Sequence, residues 1–236
     1  MVVPTYNERE NLPELVAELM ALDVPDLHVL VVDDDSPDGT GRIADGLAES
    51  MLDRVGVLHR TDKDGLGRAY VAGMTRALDE GADIVVQMDA DLSHPASAIP
   101  VMLDELGNSD AAVVLGSRYV EGGSTAQEWA WHRRALSAFA NVYVNTVLGL
   151  GVKDATAGFK AWRAEALRKI DLSTIQSNGY AFQVETNYRV VRAGMRIAEI
   201  PIIFEERAVG ASKMTLGVQL ESAVMPWKFR FGKKNG

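Results

Sequence analysis

Over the first 115 residues, short wholly apolar runs ending on acidic or glycine residues alternate with segments of helical periodicity, and this alternation restricts the fold more than any other feature. The runs are Val29–Val32, Val55–His59, Ile84–Met88 and Ala112–Leu115. Strands covered on both faces read as continuous apolar runs of this kind. Between them, Leu12, Leu15, Val16, Leu19 and Met20 recur at helical spacing, with Asn11 as N-cap and Pro13 in the first turn. A second helix is expected from about Gly67 to Glu80, closed by Gly81. The pattern predicts an α/β, doubly wound, mostly parallel sheet with helices on both faces, whose ligands sit at the carboxyl ends of its strands. Met1-Val2-Val3-Pro4 opens the chain like the end of a further strand and not like a signal peptide.

Length and composition narrow the chemistry. A chain of 236 residues suits one such domain with a modest appendix. It has no cysteine, which excludes disulfides, thiolate zinc sites and a cysteine nucleophile. The net charge of −9 is uneven: residues 1–110 carry 7 Lys/Arg against 23 Asp/Glu, and residues 111–236 carry 17 against 10. An acidic half argues against nucleic acid as partner. The split suits a metal-binding first half and a second half that handles phosphates or an anionic surface; a chance imbalance of solvated faces is the plain alternative.

Asp89-Ala90-Asp91 directly follows the run Ile84–Met88, placing two carboxylates where such a sheet binds ligands. Their hard oxygens favour Mg²⁺ or Mn²⁺, which also bridge diphosphate oxygens, and Ser93 is positioned to add a hydroxyl or hold a metal-bound water. A capped polar turn is the plain reading, but a second run also ends in acids: Asp33-Asp34-Asp35, with Asp38 as cap for a helix near Thr40. Three adjacent acids repel, so capping alone explains them poorly. Pro4-Thr5-Tyr6-Asn7-Glu8 offers an aromatic face and an acceptor carboxylate for a base or ribose. Gly65-Leu66-Gly67 lacks the third glycine of a dinucleotide motif and reads as a flexible turn that caps a helix.

In the basic half, Gly116–Tyr119, His132-Arg133-Arg134 and Arg207–Lys213 carry arginine forks and a lysine suited to phosphate, although any one alone is more often a surface charge. Ala135–Val152 has no charge, but polar residues interrupt it while Leu136, Phe139, Tyr143, Val147 and Leu150 trace one stripe, as in a core or membrane-surface helix. The amphipathic tail, 214–236, ends in interleaved aromatic and basic residues (Trp227 to Phe231, then Lys233 and Lys234), as at a membrane interface.

Taken in order, PTYNERENL (Pro4–Leu12), VVDDDSPDGT (Val31–Thr40), MDADLSHP (Met88–Pro95), GSRY (Gly116–Tyr119), Trp131–Arg134, DATAGF (Asp154–Phe159), GYAFQVE (Gly179–Glu185) and Arg207–Lys213 resemble the polyprenol-phosphate (dolichol-phosphate) mannose synthases of glycosyltransferase family 2. The resemblance covers nearly the whole chain. It implies a GT-A catalytic domain over residues 1–213, with a nucleotide-sugar and metal half (1–115) and an acceptor and phosphate half (116–213). Pro4, Tyr6, Glu8, Val32 and Asp34 would hold guanosine; Asp89, Ala90 and Asp91 would line the diphosphate, with Asp89, Asp91 and Ser93 toward the metal. Arg118, Arg133, Arg207 and Lys213 would bind phosphates, with Asp91, Arg118 and Lys213 nearest the chemistry. Some relatives carry Gln where Ser93 stands, and Ala157 replaces an expected Ser or Gly.

The implied reaction moves mannose from GDP-mannose to a polyprenyl phosphate by a single inverting displacement. The implied setting is peripheral, on the cytoplasmic face of a membrane, with or without an anchoring partner subunit. A UDP-sugar-dependent glucosyl- or N-acetylhexosaminyltransferase is the near alternative and a catalytically silent nucleotide-sugar sensor the distant one. A processive synthase is disfavoured because the chain has no Gln-x-x-Arg-Trp.

Overall fold

The computed structural model describes residues 1–126, 131–175, 177–206 and 216–231. In chain order the elements are β1 (Val2–Thr5), α1 (Leu12–Met20), β2 (Val29–Asp33), α2 (Thr40–Ser50), β3 (Val55–His59), α3 (Leu66–Asp79), β4 (Ile84–Gln87), α4 (Ala98–Asn108) and β5 (Ala111–Ser117). They continue with α5 (Trp131–Leu148), β6 (Lys160–Arg163), α6 (Ala164–Lys169), α7 (Gly179–Arg192), β7 (Arg196–Pro201) and α8 (Leu216–Phe231).

One seven-stranded sheet runs in the order β3-β2-β1-β4-β6-β5-β7. The pairs β3-β2, β2-β1, β1-β4 and β5-β7 are parallel, while β6 is antiparallel to both its neighbours. The sheet is therefore mostly parallel, as the alternation predicts, with one reversed strand that the apolar pattern does not announce. Alternate residues divide between two cores. Val2, Val32 and Val85 face one cluster with Tyr70, Trp162 and Phe182, and Val3, Val31 and Val86 face another with Leu12, Ile99 and Met102. Both faces are thus covered, which is why these strands are apolar throughout. Gly73 lets α3 settle close on the sheet: a Cβ there would lie 2.5 Å from Val2 Cγ1 and 2.7 Å from Val32 Cγ2.

Several local expectations meet the structure directly. Leu12, Leu15, Val16 and Leu19 are fully buried, each worth roughly 1.5–3 kcal/mol of burial. Gly81 ends α3 with φ 88°, and the bonds Gly81 N to Leu78 O (3.2 Å) and Ala82 N to Ala77 O (3.0 Å) close the helix in the paired pattern that a C′ glycine permits. Asp38 caps α2, its Oδ1 accepting from Thr40 N at 2.9 Å and from Thr40 Oγ1 at 2.6 Å. Asn11 departs from expectation. It stands before α1, but its side chain makes no cap bond and donates to Glu8 Oε2 at 2.8 Å.

The stripe on α5 splits. Val147 and Leu150 are core, whereas Leu136 and Phe139 lie exposed, Phe139 at 66%, beside exposed Trp131 and Val142. Among the described residues no helix is long and apolar enough to cross a membrane. In the tail, α8 packs on α5 and α7: Arg230 donates to the Val147 carbonyl, and Phe229 stacks on Tyr188 at 6.4 Å. Trp227 and Phe231 are stacked on each other and exposed. Lys233 and Lys234 lie outside the described residues.

Lys160 is fully buried on β6, and its Nζ donates to Gln183 O (3.1 Å), Thr186 Oγ1 (3.0 Å) and Asn187 Oδ1 (2.8 Å) of α7. Thr186 spends its own proton on Gln183 O, and Asn187 spends an amide proton on Ala155 O. All three partners therefore present lone pairs, and only an ammonium supplies three hydrogens. Burial pushes this amine well below its ordinary pKa of 10.5, and the Asp154 charge opposes that push.

Candidate active site

The carboxyl ends of β1, β2 and β4 open into a cleft of about 380 Å³. Its lining includes Pro4, Tyr6, Glu8 and Asp34 on one side; Asp89, Ala90, Asp91, Ser93 and His94 at the centre; and Arg118, Thr156, Ala157, Gly158, Tyr180 and Gln183 opposite. Each of the three strands ends in a turn holding a non-glycine residue at positive φ: Asn7 (60°), Asp35 (56°) and Leu92 (61°). Leucine in this region is strained, and such strain concentrates at functional turns.

Asp91 is buried, and its Oδ1 accepts from Ser93 N (3.2 Å) and Ser93 Oγ (2.6 Å), so the Ser93 hydroxyl proton is directed at a carboxylate. Asp89 Oδ1 accepts from the Tyr70 hydroxyl at 2.7 Å. Tyr70 comes from α3 and stacks on Phe182 at 5.7 Å; burial, then the Asp89 charge, raises its pKa well above 10, so it stays a donor. His94 lies behind this turn, stacked on Phe159 at 5.1 Å, with Nδ1 accepting from Asp89 N at 3.4 Å. Burial lowers its pKa below 6.5 although Asp89 and Asp91 pull the other way. It is a neutral support at pH 7, not a titrating base.

A divalent cation fits this donor set on one condition. Among the described residues no three His, Cys, Asp or Glu side chains converge to hold a metal. The described residues would hold such an ion through one or two carboxylates, those of Asp89 and Asp91, which leaves room for diphosphate and water oxygens of the kind Mg²⁺ favours.

The acid run after β2 divides by role. Asp33 is structural: Oδ1 accepts from Thr5 Oγ1 (3.0 Å) and Ser36 Oγ (2.6 Å), and Oδ2 from Ser36 N (3.1 Å). Asp34 faces the cleft and accepts from Arg60 Nη1; burial raises its pKa against that guanidinium. Asp35 is exposed in the turn. Val32 packs in the core against Gly73 and does not line the cleft. Lys63 does line it, with its Nζ 3.4 Å from the centroid of the Tyr6 ring.

Arg118 ends β5 in the cleft wall, but its fork is already engaged. Nε meets Asp154 Oδ2 and Nη2 meets Asp154 Oδ1, both at 2.7 Å, and Nη2 also donates to Thr156 Oγ1 at 2.9 Å. The pair is almost wholly buried, the side chains 9% and 0% exposed. Burial would raise the Asp154 pKa, but the Arg118 bonds and charge hold it below the ordinary 3.8. Arg133 is half-exposed, pairs with Glu206 at 3.4 Å and does not line the cleft. Arg207 and Lys213 lie outside the described residues. Gly65 and Gly67 serve close approach rather than flexibility. A Cβ on Gly67 would lie 2.4 Å from Ser177 O, and one on Gly65, at φ 95°, 2.9 Å from Asn178 Cγ. The glycine pair thereby seats the start of α3 against the segment entering α7.

The sequence reading missed Lys63, Tyr70, His94, Asp154, Thr156 and Gln183 as parts or supports of this site. His94, Asp154, Thr156 and Gln183 lie within the segments that carry the resemblance, but nothing local tells which partner each would meet.

Comparison with known proteins agrees with the geometry. The chain matches the family described as Glycosyl transferase family 2 over residues 1–171. It is 48% identical over 215 residues to a polyprenol monophosphomannose synthase of Mycolicibacterium smegmatis, covering 91% of this chain and 80% of that one. It is 47% identical over 223 residues to an undecaprenyl-phosphate mannosyltransferase of Micrococcus luteus, covering 94% and 90%. Among solved structures, glucosyl-3-phosphoglycerate synthase from Mycobacterium tuberculosis, in complex with Mn²⁺, UDP and phosphoglyceric acid, superposes with TM-score 0.72 at 17% identity, covering 99% of this chain and 78% of that one. At that identity the likeness speaks for the fold, which is GT-A. The acid-ended strands, the cleft they open and these two curated relatives converge: the chain belongs to glycosyl transferase family 2 and, within it, to the group of the polyprenol-phosphate mannose synthases.

Proposed function

We propose that this chain transfers mannose from GDP-mannose to a polyprenyl phosphate with inversion at the anomeric carbon, using Mg²⁺ or Mn²⁺. The observation that carries the reading is the cleft with Asp89 and Asp91 at its centre, between the Tyr6–Asp34 wall and the Arg118–Thr156 wall, in a chain so similar to two mannosyl-transferring relatives.

Tyr6, Glu8 and Asp34 form the base wall, with Pro4 beside them, while Val32 stays in the core behind it. Asp89 and Asp91 would hold the metal, which when bound supplies Lewis-acid stabilisation of the leaving diphosphate. Ser93 fixes Asp91, and Tyr70 fixes Asp89. Arg118, held by Asp154, lines the opposite wall. Arg133, Arg207 and Lys213 are assigned to phosphates by the resemblance. The acceptor is a phosphate monoester with a second pKa of about 6, hence largely a dianion at pH 7 that needs no strong base. A neutral, buried His94 suits that requirement.

The donor assignment is tested by titrating GDP and UDP in the presence of Mg²⁺ or Mn²⁺. GDP should bind more tightly; equal or tighter UDP binding would transfer the reading to a UDP-sugar donor. Radiolabelled GDP-mannose with purified polyprenyl phosphate then tests the reaction itself, and a product retaining the donor's anomeric configuration would overturn the single displacement.

The acceptor's lipid lies in a bilayer, and exposed Trp131, Phe139 and Val142 on α5, with Trp227 and Phe231 on α8, are suited to an interface. We place the enzyme peripherally on the cytoplasmic face. Each basic residue near an anionic leaflet contributes about 1 kcal/mol. Liposome co-sedimentation should therefore require anionic lipid, weaken with salt and fall when Lys228, Arg230, Lys233 and Lys234 all become Gln. Absence of binding by the parent would assign docking to an anchoring partner subunit.

A further inference from the structure

Among the described residues four carboxylates line the cleft, those of Glu8, Asp34, Asp89 and Asp91, against two cations, Lys63 and Arg118. Arg118 is committed to Asp154 through two bonds. Lys63 is not: among the described residues it forms no ion pair, and the contact its ammonium makes is with the ring of Tyr6, 3.4 Å from Nζ to centroid. Its sequence neighbours Asp62 and Asp64 turn elsewhere, Asp62 to Thr61 Oγ1 (3.3 Å) and Asp64 toward Arg68 (3.9 Å). A lone ammonium thus rests on the aromatic ring of the base wall.

We propose that Lys63 is a donor-binding residue that exchanges partners: a nucleobase entering over Tyr6 displaces its ammonium, which then pairs with the diphosphate of the same ligand. This rests on the nucleotide-sugar reading of the cleft and adds a residue that couples recognition of the base to recognition of the phosphates. An ammonium 3.4 Å from a ring centroid occupies that ring face, so a base stacked there and Lys63 exclude each other. The exchange runs in the stated direction because the two contacts differ in strength. An exposed cation–π contact is worth roughly two- to fivefold in an equilibrium constant. Base stacking on an aromatic ring is worth roughly five- to a hundredfold. The flexible four-carbon stem and rotatable ammonium of lysine suit a group that must move and still find an anion. Charge-assisted bonds to phosphate then make good the lost contact. A nucleoside without phosphates displaces the ammonium and gives it no new partner. The device therefore favours nucleoside diphosphates over nucleosides sharing the same base.

The two ligands respond to loss of the charge in opposite directions, which separates this role from a simple wall contact. With Mg²⁺ present, Lys63→Met should weaken GDP binding about tenfold or more, while guanosine binding is unchanged or tightens by up to about fivefold. Lys63→Arg, which keeps a cation, should retain most GDP affinity, and circular dichroism confirms that both variants are folded. Equal weakening of GDP and guanosine, or unchanged GDP binding, in a folded Lys63→Met would overturn the proposal. If the parent prefers UDP, the donor assignment changes and the same reversal is read with UDP and uridine, since the exchange depends on a stacked base and not on which base. A parent that binds neither diphosphate overturns the nucleotide reading and this role together.

Discussion

Asp91→Ala is expected to lower turnover by ~10²–10³-fold or more while leaving the fold intact. Losing one preorganised charge-stabilising group typically costs that much, and losing the metal costs more. On the structural side the substitution removes two hydrogen bonds from Ser93, within a turn already held by Tyr70–Asp89 and by the His94 stack. Each such bond is worth about 1 kcal/mol net, so the melting temperature should move by only a few degrees. Asp91→Asn separates charge from shape and should be nearly as inactive. Near-parental activity of the alanine variant at saturating metal would remove Asp91 from the site.

Asp154→Ala is expected to destabilise the protein by about 3–5 kcal/mol, because it leaves the Arg118 guanidinium buried without its carboxylate. Against a typical total of ~5–15 kcal/mol that is a large loss, readable as a shifted denaturation midpoint. The double variant Arg118→Met with Asp154→Leu should recover most of the stability, since an apolar pair of similar volume avoids both desolvation costs. It should not recover turnover if the Arg118 charge serves the cleft. A loss below about 1 kcal/mol in the single variant would show that the pair does not hold this wall. The pH dependence has a definite sign. The folded-state pKa of Asp154 is depressed, so its contribution is present above the ordinary 3.8 and is lost as pH falls through the lower folded value. The Arg118 pKa is raised, burial being outweighed by its bonds to Asp154, so that contribution persists through neutral pH. Only an acid limb is therefore expected from this pair.

What the sequence disclosed and what it withheld follow from where each interaction originates. Tyr6, Glu8, Asp34, Asp89 and Asp91 were legible because a covered parallel sheet forces its polar chemistry to the strand ends, and those residues directly follow apolar runs. Asp38 was legible because its partner Thr40 is two residues away. Long-range contacts were not: Arg118 finds its carboxylate 36 positions on, and Tyr70 finds Asp89 across the cleft wall. The reversed strand β6 was hidden for a related reason. The lysine that opens Lys160-Ala161-Trp162-Arg163 argues against a buried strand until α7 supplies the three acceptors that satisfy it. Arg133 shows the converse limit: its basic neighbours and the resemblance name it for phosphate, yet it stands outside the lining of the cleft and pairs with Glu206.

The placement of β6 also governs how the chain comes together as it is made. It lies between β4 and β5 yet follows both in sequence, pairing Gln87 with Lys160 on one side and Leu115 with Lys160 on the other. Until Arg163 has emerged, one edge of β4 has no partner, and that strand leads straight into the acidic turn of the cleft. At ~5–20 residues per second, synthesis from Gln87 to Arg163 leaves that edge bare for roughly 4–15 s. An unpaired edge of this kind invites association with other chains. The halves divided at residue 115 are thus not separable parts: a fragment ending there would keep Asp89 and Asp91 and expose an edge of β4, the strand that leads into them. The Tyr6–Asp34 wall and the Arg118–Thr156 wall share one sheet only once that late strand is in place.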